Sequence, residues 1–264
     1  MHRPHQLFLA TIALLGSTAP ACFERGLART SWQEEDRASS ILERMREAYA
    51  ACDTYRDEGQ ATTVFERDGR KRTVVKPFET AFSRPDHFRF EYRARRGELE
   101  WDRYIIWTGG TGVEGKVQTY WTVTGEQRDW DELGQAIGAA HGVSGTVSKR
   151  VPDLLRSQPG WQGFSVEGYS LDGEEEIEGH PCWRIIAHRP GRVWPIAPRP
   201  EVKNGAKSVR YGPATYWIDQ ETHLLRKVHT TKEFDRFWTG TTIVYQPVIG
   251  EPIPSSAFAF DPTK

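Results

Sequence analysis

"HFRFEY", residues 87 to 92, alternates Phe88, Phe90 and Tyr92 with His87, Arg89 and Glu91. Successive side chains of a strand point to opposite faces, so this spacing predicts a half-buried strand with one aromatic and one charged face. Such a strand needs neighbours, and the sequence supplies them on both sides. Residues 61 to 67 and 72 to 82 flank the turn-forming "RDGRK", and residues 99 to 107 put Trp101, Ile105 and Trp107 on one face. "KVQTYWTV" follows the glycine-rich residues 109 to 115. The run resumes over 164 to 177, turns at "EGH", returns through "PCWRIIAH", and closes with "TYWID", "LLRKVHT", "TTIVYQPV" and "AFAF". These signals predict an α+β fold with one antiparallel sheet of about ten or eleven strands. The sheet is expected to curve or partly close, so that its aromatic face is covered.

One helix stands out before the strands. In "SWQEEDRASSILERMREAYAAC", residues 31 to 52, Ser31 and Glu34 have the form of a capping box. Ala38, Ile41, Leu42, Met45, Ala48, Tyr49 and Cys52 then recur at three- and four-residue steps, an apolar stripe that must lie on the sheet. Residues 130 to 156 predict one or two short helices broken at Gly142 and Gly145, a helical lid inserted between strands. Residues 189 to 207 hold four prolines and predict a long loop, with Trp194 and Ile196 on it as either a contact surface or a simple pin.

The start of the chain has the pattern of an export signal. Arg3 with His2 and His5 precedes the apolar run from Leu7 to Leu15, and small residues surround Pro20 ahead of Cys22. That run is too short to span a bilayer. The expected organisation is a signal segment over 1 to 21, a tether over 22 to 30, and one domain over 31 to 264. Cys22 is then the first residue of the mature chain, either lipidated or simply exposed by cleavage. Without the signal, 34 basic and 36 acidic residues remain, a balance that gives no global attraction to nucleic acid. With 38% hydrophobic and 12% aromatic residues the chain can build a real core.

Enzymatic motifs do not survive their structural context. "GTGVEG", residues 110 to 115, has dinucleotide-type glycine spacing but runs into a strand, where a phosphate site needs a helix N-terminus. Ser144 in "GVSG" lacks nucleophile-elbow spacing and is read as a polar helix start. His180, Cys182 and His188 share parity along a strand without the further ligands zinc requires, and Glu174 to Glu176 read as a solvated strand end. No cofactor or metal is expected. In an exported chain the two remaining cysteines, Cys52 and Cys182, predict a disulfide, against the alternative of two separate buried thiols.

Three patches together resemble a known family. "AFSRPDHFRFEY" (81 to 92), "YWIDQETHLLRKV" (216 to 228) and "IPSSAFAFDP" (253 to 262) are similar to segments of the LolA and LolB periplasmic lipoprotein carriers. The resemblance implies a strongly curved, incomplete antiparallel barrel with helices as a lid over an apolar cavity that takes acyl chains. It also implies that Arg84, the arginine of the Arg-Pro start, contacts the lid. The long loop, the cysteine pair and the Cys22 anchor depart from the family, and RseB-like sensors use the same fold. On the residues themselves, Phe88, Phe90, Tyr92, Ile105, Trp107, Trp121, Tyr216 and Ile218 either line such a cavity or fill a packed core. The expected protein is a monomeric, non-enzymatic component of the periplasm or envelope of a Gram-negative-type bacterium. It binds a lipid or acylated lipoprotein and, in the case where Cys22 is lipidated, touches the membrane through that anchor. The alternative is an envelope sensor or protein-interaction module.

Overall fold

The computed structural model of the chain describes residues 22–96, 100–108, 117–141, 144, 146–157, 167–189, 191, 193–196 and 208–261. Residues 1 to 21, read as a signal segment, the "GTGVEG" stretch and residues 197 to 207 lie outside them. The first element is α1 (Cys22–Ala51), which starts nine residues before the expected capping box and takes in the expected tether. Strands β1 (Thr54–Arg67), β2 (Arg70–Ser83), β3 (His87–Arg96), β4 (Glu100–Thr108), β5 (Val117–Trp121) and β6 (Glu126–Trp130) follow as consecutive hairpins. Helices α2 (Leu133–His141) and α3 (Val147–Leu155) come next. Then come β7 (Gly168–Ile177), β8 (His180–His188), β9 (Val193–Pro195), β10 (Ser208–Asp219), β11 (Leu225–Phe234), β12 (Trp238–Tyr245) and β13 (Val248–Ile249).

The strands form one antiparallel sheet in the order β6-β5-β4-β3-β2-β1-β12-β11-β10-β8-β7, with β13 paired to β1 and β9 to β10. Among the described residues β6 and β7 do not pair, so the barrel is open. Eleven strands on the main path match the expected number. β6 and β9 were not anticipated: "EQRDW" has no apolar alternation, and β9 is three residues inside the expected loop. Both sheet edges are blunted against further pairing. β6 is charged and exposed, and β7 carries a bulge between Leu171 and Glu174 with Gly173 at φ 101°.

The sheet curves around its helices. A single apolar cluster joins Phe78, Phe90 and Ile106 from one half of the sheet to Ile185, Tyr216 and Val228 from the other. Strands so far apart in order share a core only if the sheet wraps round it. The stripe of α1 fills the concavity: Ala38, Ile41, Met45 and Tyr49 are fully buried, and the Tyr49 hydroxyl accepts a hydrogen bond from the Leu225 N–H at 3.2 Å. Ala136, Ile137 and Ala140 of α2, with Val151, Leu154 and Leu155 of α3, complete the filling. On central strand β1 a residue without Cβ is needed at Gly59, because a Cβ there would collide with the Phe78 ring and the Val244 carbonyl. Among the described residues no helix is long and apolar enough to cross a membrane.

Two expectations are corrected. "AFAF" is not a strand: after Pro252 and Pro254, which cannot donate to a ladder, the chain forms a short 3-10 turn (Ser255–Ala257). It then lies over the outer face, with the Phe260 ring 4.9 Å from Trp107. The Cys52–Cys182 disulfide is not formed. Cys52 is buried in the inner cluster at the end of α1, whereas Cys182 points outward from β8 and packs with Ile177 and Trp217. Cys182 faces away from the helix because it pairs with Asp219, and Trp183, paired with the inward Ile218, takes the inner face.

Candidate functional site

The concave face carries the candidate site. In β3 the side chains of Phe88, Phe90 and Tyr92 point inward as their alternation predicts, and each is at most 3% exposed. Across the β3–β4 register, Phe90 faces Ile106 and Tyr92 faces Tyr104, so Tyr104 and Ile106 belong to this surface. Ile105 and Trp107, expected in the lining, pair with Glu91 and Arg89 and are therefore on the outer face, buried under the C-terminal segment. The sequence does place them on one common face; which face depends on register to β3, and that pairing has no signal within β4 itself. Tyr216 and Ile218 of β10 are fully buried on the inner face, and Trp121 of β5 is half-buried beside Tyr104.

These rings form a continuous path across the sheet. Tyr245 packs edge-on against Phe78 at 5.4 Å, Phe78 stacks with Phe90 at 6.4 Å, and Phe90 leads to Tyr92 at 6.4 Å. Tyr92 stacks with Tyr104 at 5.6 Å, and Tyr104 meets Trp121 at 6.4 Å. The path opens at a cleft of about 270 Å³ between the β4–β6 edge and α2, where Tyr92, Tyr104, Trp121, Trp130 and Ala139 share the lining with Thr119, Thr124, Glu126 and Arg128. Such a cleft is slightly smaller than the ~300 Å³ at which ligand pockets begin, so a whole chain-like ligand enters only if the helices shift. Phe78 and Tyr245 were missed, although Phe78 with Phe82 shows the period-two spacing in the sequence. A depression of about 530 Å³ on the outer face of β1–β3 is walled by Arg56, Glu58, Glu79 and Arg89, which do not suit an apolar ligand.

Arg84 joins the helices to the sheet. Its Nε donates to the Cys52 carbonyl at 2.9 Å, and an Nη donates to the carbonyls of Ala50 at 2.7 Å and Leu155 at 3.1 Å. One guanidinium thus satisfies carbonyls at the C-terminal ends of both α1 and α3, where the helix dipoles favour a cation. Arg84 thus touches α3, within the residues 130 to 156 that the sequence reads as helical, through the Leu155 carbonyl. Ser144 is buried before α3, and its Oγ accepts the Ser148 N–H at 3.3 Å, the role of a polar helix start.

Two carboxylates bracket the site. Asp57 is on the inner face, 3% exposed, and accepts the Tyr55 hydroxyl at 2.6 Å. Burial raises its pKa from 3.8 to about 6, against the hydrogen bonds from Tyr55 and Thr80. Glu91, on the outer face, is held by Arg103, Arg93 and Arg89 at 2.8 to 3.0 Å. Burial alone would raise its pKa, but the Arg103 and Arg93 hydrogen bonds, the Arg103 charge and Arg89 bring it down to about 2. Of the sequence trio, His180 lies 3.3 Å from Asp219 and His188 bonds Ser170 at 2.9 Å, so each has its own local partner. Among the described residues no group of three or more His, Cys, Asp or Glu is placed to hold a metal ion.

No family model and no curated protein matches the sequence. Several solved structures are similar in layout. The lipoprotein LppX of Mycobacterium tuberculosis is 11% identical with a TM-score of 0.40, over 83% of this chain and 98% of that one. A LolA superfamily protein of Nitrosomonas europaea is 11% identical with a TM-score of 0.32, over 84% and 96%. MucB of Pseudomonas aeruginosa, in complex with MucA, is 15% identical with a TM-score of 0.38, over 84% and 60%. The chain's own sheet order and core define an open antiparallel barrel with helices in its concavity, and that geometry carries the reading of its site.

Proposed function

We propose that the chain is a non-enzymatic envelope protein whose concave face binds a lipid or lipoprotein acyl chain, for carriage or sorting towards the outer membrane. The observation that carries this reading is the unbroken aromatic path from Tyr245 to Trp121, which shares one buried cluster with α2 and α3 and opens at the cleft beside α2. Each methylene moved from water onto this surface contributes about 0.8 kcal/mol, so an acyl chain needs no charged anchor along its length. α2 and α3 act as the lid. They are short, and Arg84 holds the end of α3 through a single carbonyl, Leu155. Cys22 begins the mature chain in this reading, and where it is lipidated the acyl groups hold the chain at the membrane. The close packing beneath the helices favours a second reading, an envelope sensor or interaction module with a solid core.

Uptake of a fluorescent fatty acid, read by energy transfer from the tryptophans, separates the two. Saturable uptake displaced by unlabelled phospholipid is expected; a chain that takes up none is the packed interaction module.

A further inference from the structure

Four cationic or basic side chains converge where α2 and α3 meet β10 and β11. Arg150 of α3 is only 7% exposed; its Nη1 donates to the Tyr216 hydroxyl at 3.3 Å, and its guanidinium carbon sits 5.7 Å from that ring's centre. Its Nε is buried and has no partner among the described residues. Arg189, just after β8, also hydrogen-bonds Tyr216. Arg189 lies 5.9 Å from the centre of the Tyr211 ring, and the Lys232 ammonium lies 5.6 Å from the same ring. His141, at the end of α2, has a buried Nδ1 without a partner among the described residues. The bulge between Tyr211 and Ala214 creates this arrangement: one extra residue in β10 turns Tyr211 to the inner face, opposite Lys232.

Like charges this close repel, and a buried guanidinium with an unsatisfied donor is costly unless an anion offsets it. Burial, and then the charges of Arg150 and Arg189, lower the pKa of Lys232. Burial and then the charges of Lys232, Lys149 and Arg150 bring His141 down to about 4, leaving it neutral at pH 7 and able to donate one hydrogen bond.

We propose that Arg150, Arg189 and Lys232 form a seat for one phosphate group, so that the ligand of the concave site is an anionic, phosphate-bearing amphiphile. The proposal rests on the acyl-chain reading above. Two guanidinium forks and an ammonium gathered about the Tyr211 and Tyr216 rings match the several oxygens of a phosphate ester better than the two of a carboxylate. Because Arg150 and His141 belong to the lid and Arg189 and Lys232 to the sheet, a bound phosphate draws the two together and closes the lid over the chain it carries.

Calorimetry on the full mature chain with three probes tests this: dihexanoyl phosphatidylglycerol, dihexanoylglycerol and glycerol 3-phosphate. The phospholipid is expected to bind at least about tenfold tighter than the uncharged diacylglycerol, a preference that Lys232→Gln removes and Lys232→Arg retains, with diacylglycerol affinity unchanged throughout. Equal affinity for the two lipids, or a Lys232→Gln variant that weakens both alike, overturns the seat and leaves the acyl site standing. Glycerol 3-phosphate bound in a Lys232-dependent way, with neither lipid bound, supports the seat and removes the acyl reading. Binding of none of the three overturns both.

Discussion

Asp57 and Glu91 show how one chemical group, the carboxyl, serves two purposes on the two faces of one sheet. Glu91, ringed by three arginines, is depressed to about 2, so its contribution is present above its ordinary pKa of 4.5 and is lost as pH falls towards 2. Asp57 has the opposite sign. A carboxyl that binds its proton near pH 6 when folded and near 3.8 when unfolded lowers stability at neutral pH by about 3 kcal/mol. The folded chain holds that proton more tightly, so stability falls as pH rises from about 4 to 6. Asp57→Asn keeps an acceptor for the Tyr55 hydroxyl and removes the charge. The variant is expected to gain on the parent as pH rises from 4 to 7 in urea unfolding, and a difference that does not change with pH would remove the buried charge from the account. Neither role is legible in "YRDEGQ" or "FEYRARR": a carboxylate's environment is set by the strands beside it.

The elements were legible where one segment carries its own pattern. The stripe of α1 and the alternation of β3 follow from residue spacing, because a helix face and a strand face are local properties. β6 escaped because an exposed edge strand has no apolar face to show, and Ile105 and Trp107 were assigned to the wrong side because sidedness belongs to a pair of strands. The expected disulfide failed for the same reason, since Cys182 is placed by its register with β10. Arg84 is the point where separate elements meet. Replacing it with Leu leaves carbonyls of Ala50, Cys52 and Leu155 without a charged donor, a loss of about 1–3 kcal/mol that the sheet can absorb without unfolding. Hydrogen exchange over residues 147 to 155 is expected to quicken and bound fatty acid to leave faster. Unchanged exchange and retention would show that α3 is held by its apolar contacts alone.

At the scale of the molecule, the open sheet has two surfaces with different occupants. The outer one is charged and partly covered by the C-terminal segment through Phe260 and Trp107. The inner one is aromatic and covered by three helices, of which α1 is long and anchored at Tyr49, while α2 and α3 are nine residues each. Helices that short derive their stability from packing, so they are the parts most readily displaced by a ligand offering equivalent apolar surface. The central claim is that the space beneath them belongs to a lipid. Native mass spectrometry of the chain purified from a bacterial envelope, followed by solvent extraction of the same sample, tests it most directly. A discrete added mass that extraction recovers as a phospholipid or an acylated peptide is the expected result. A chain that flies at its bare mass, and still does so after incubation with phospholipid vesicles, would contradict the account and make the concave face a core.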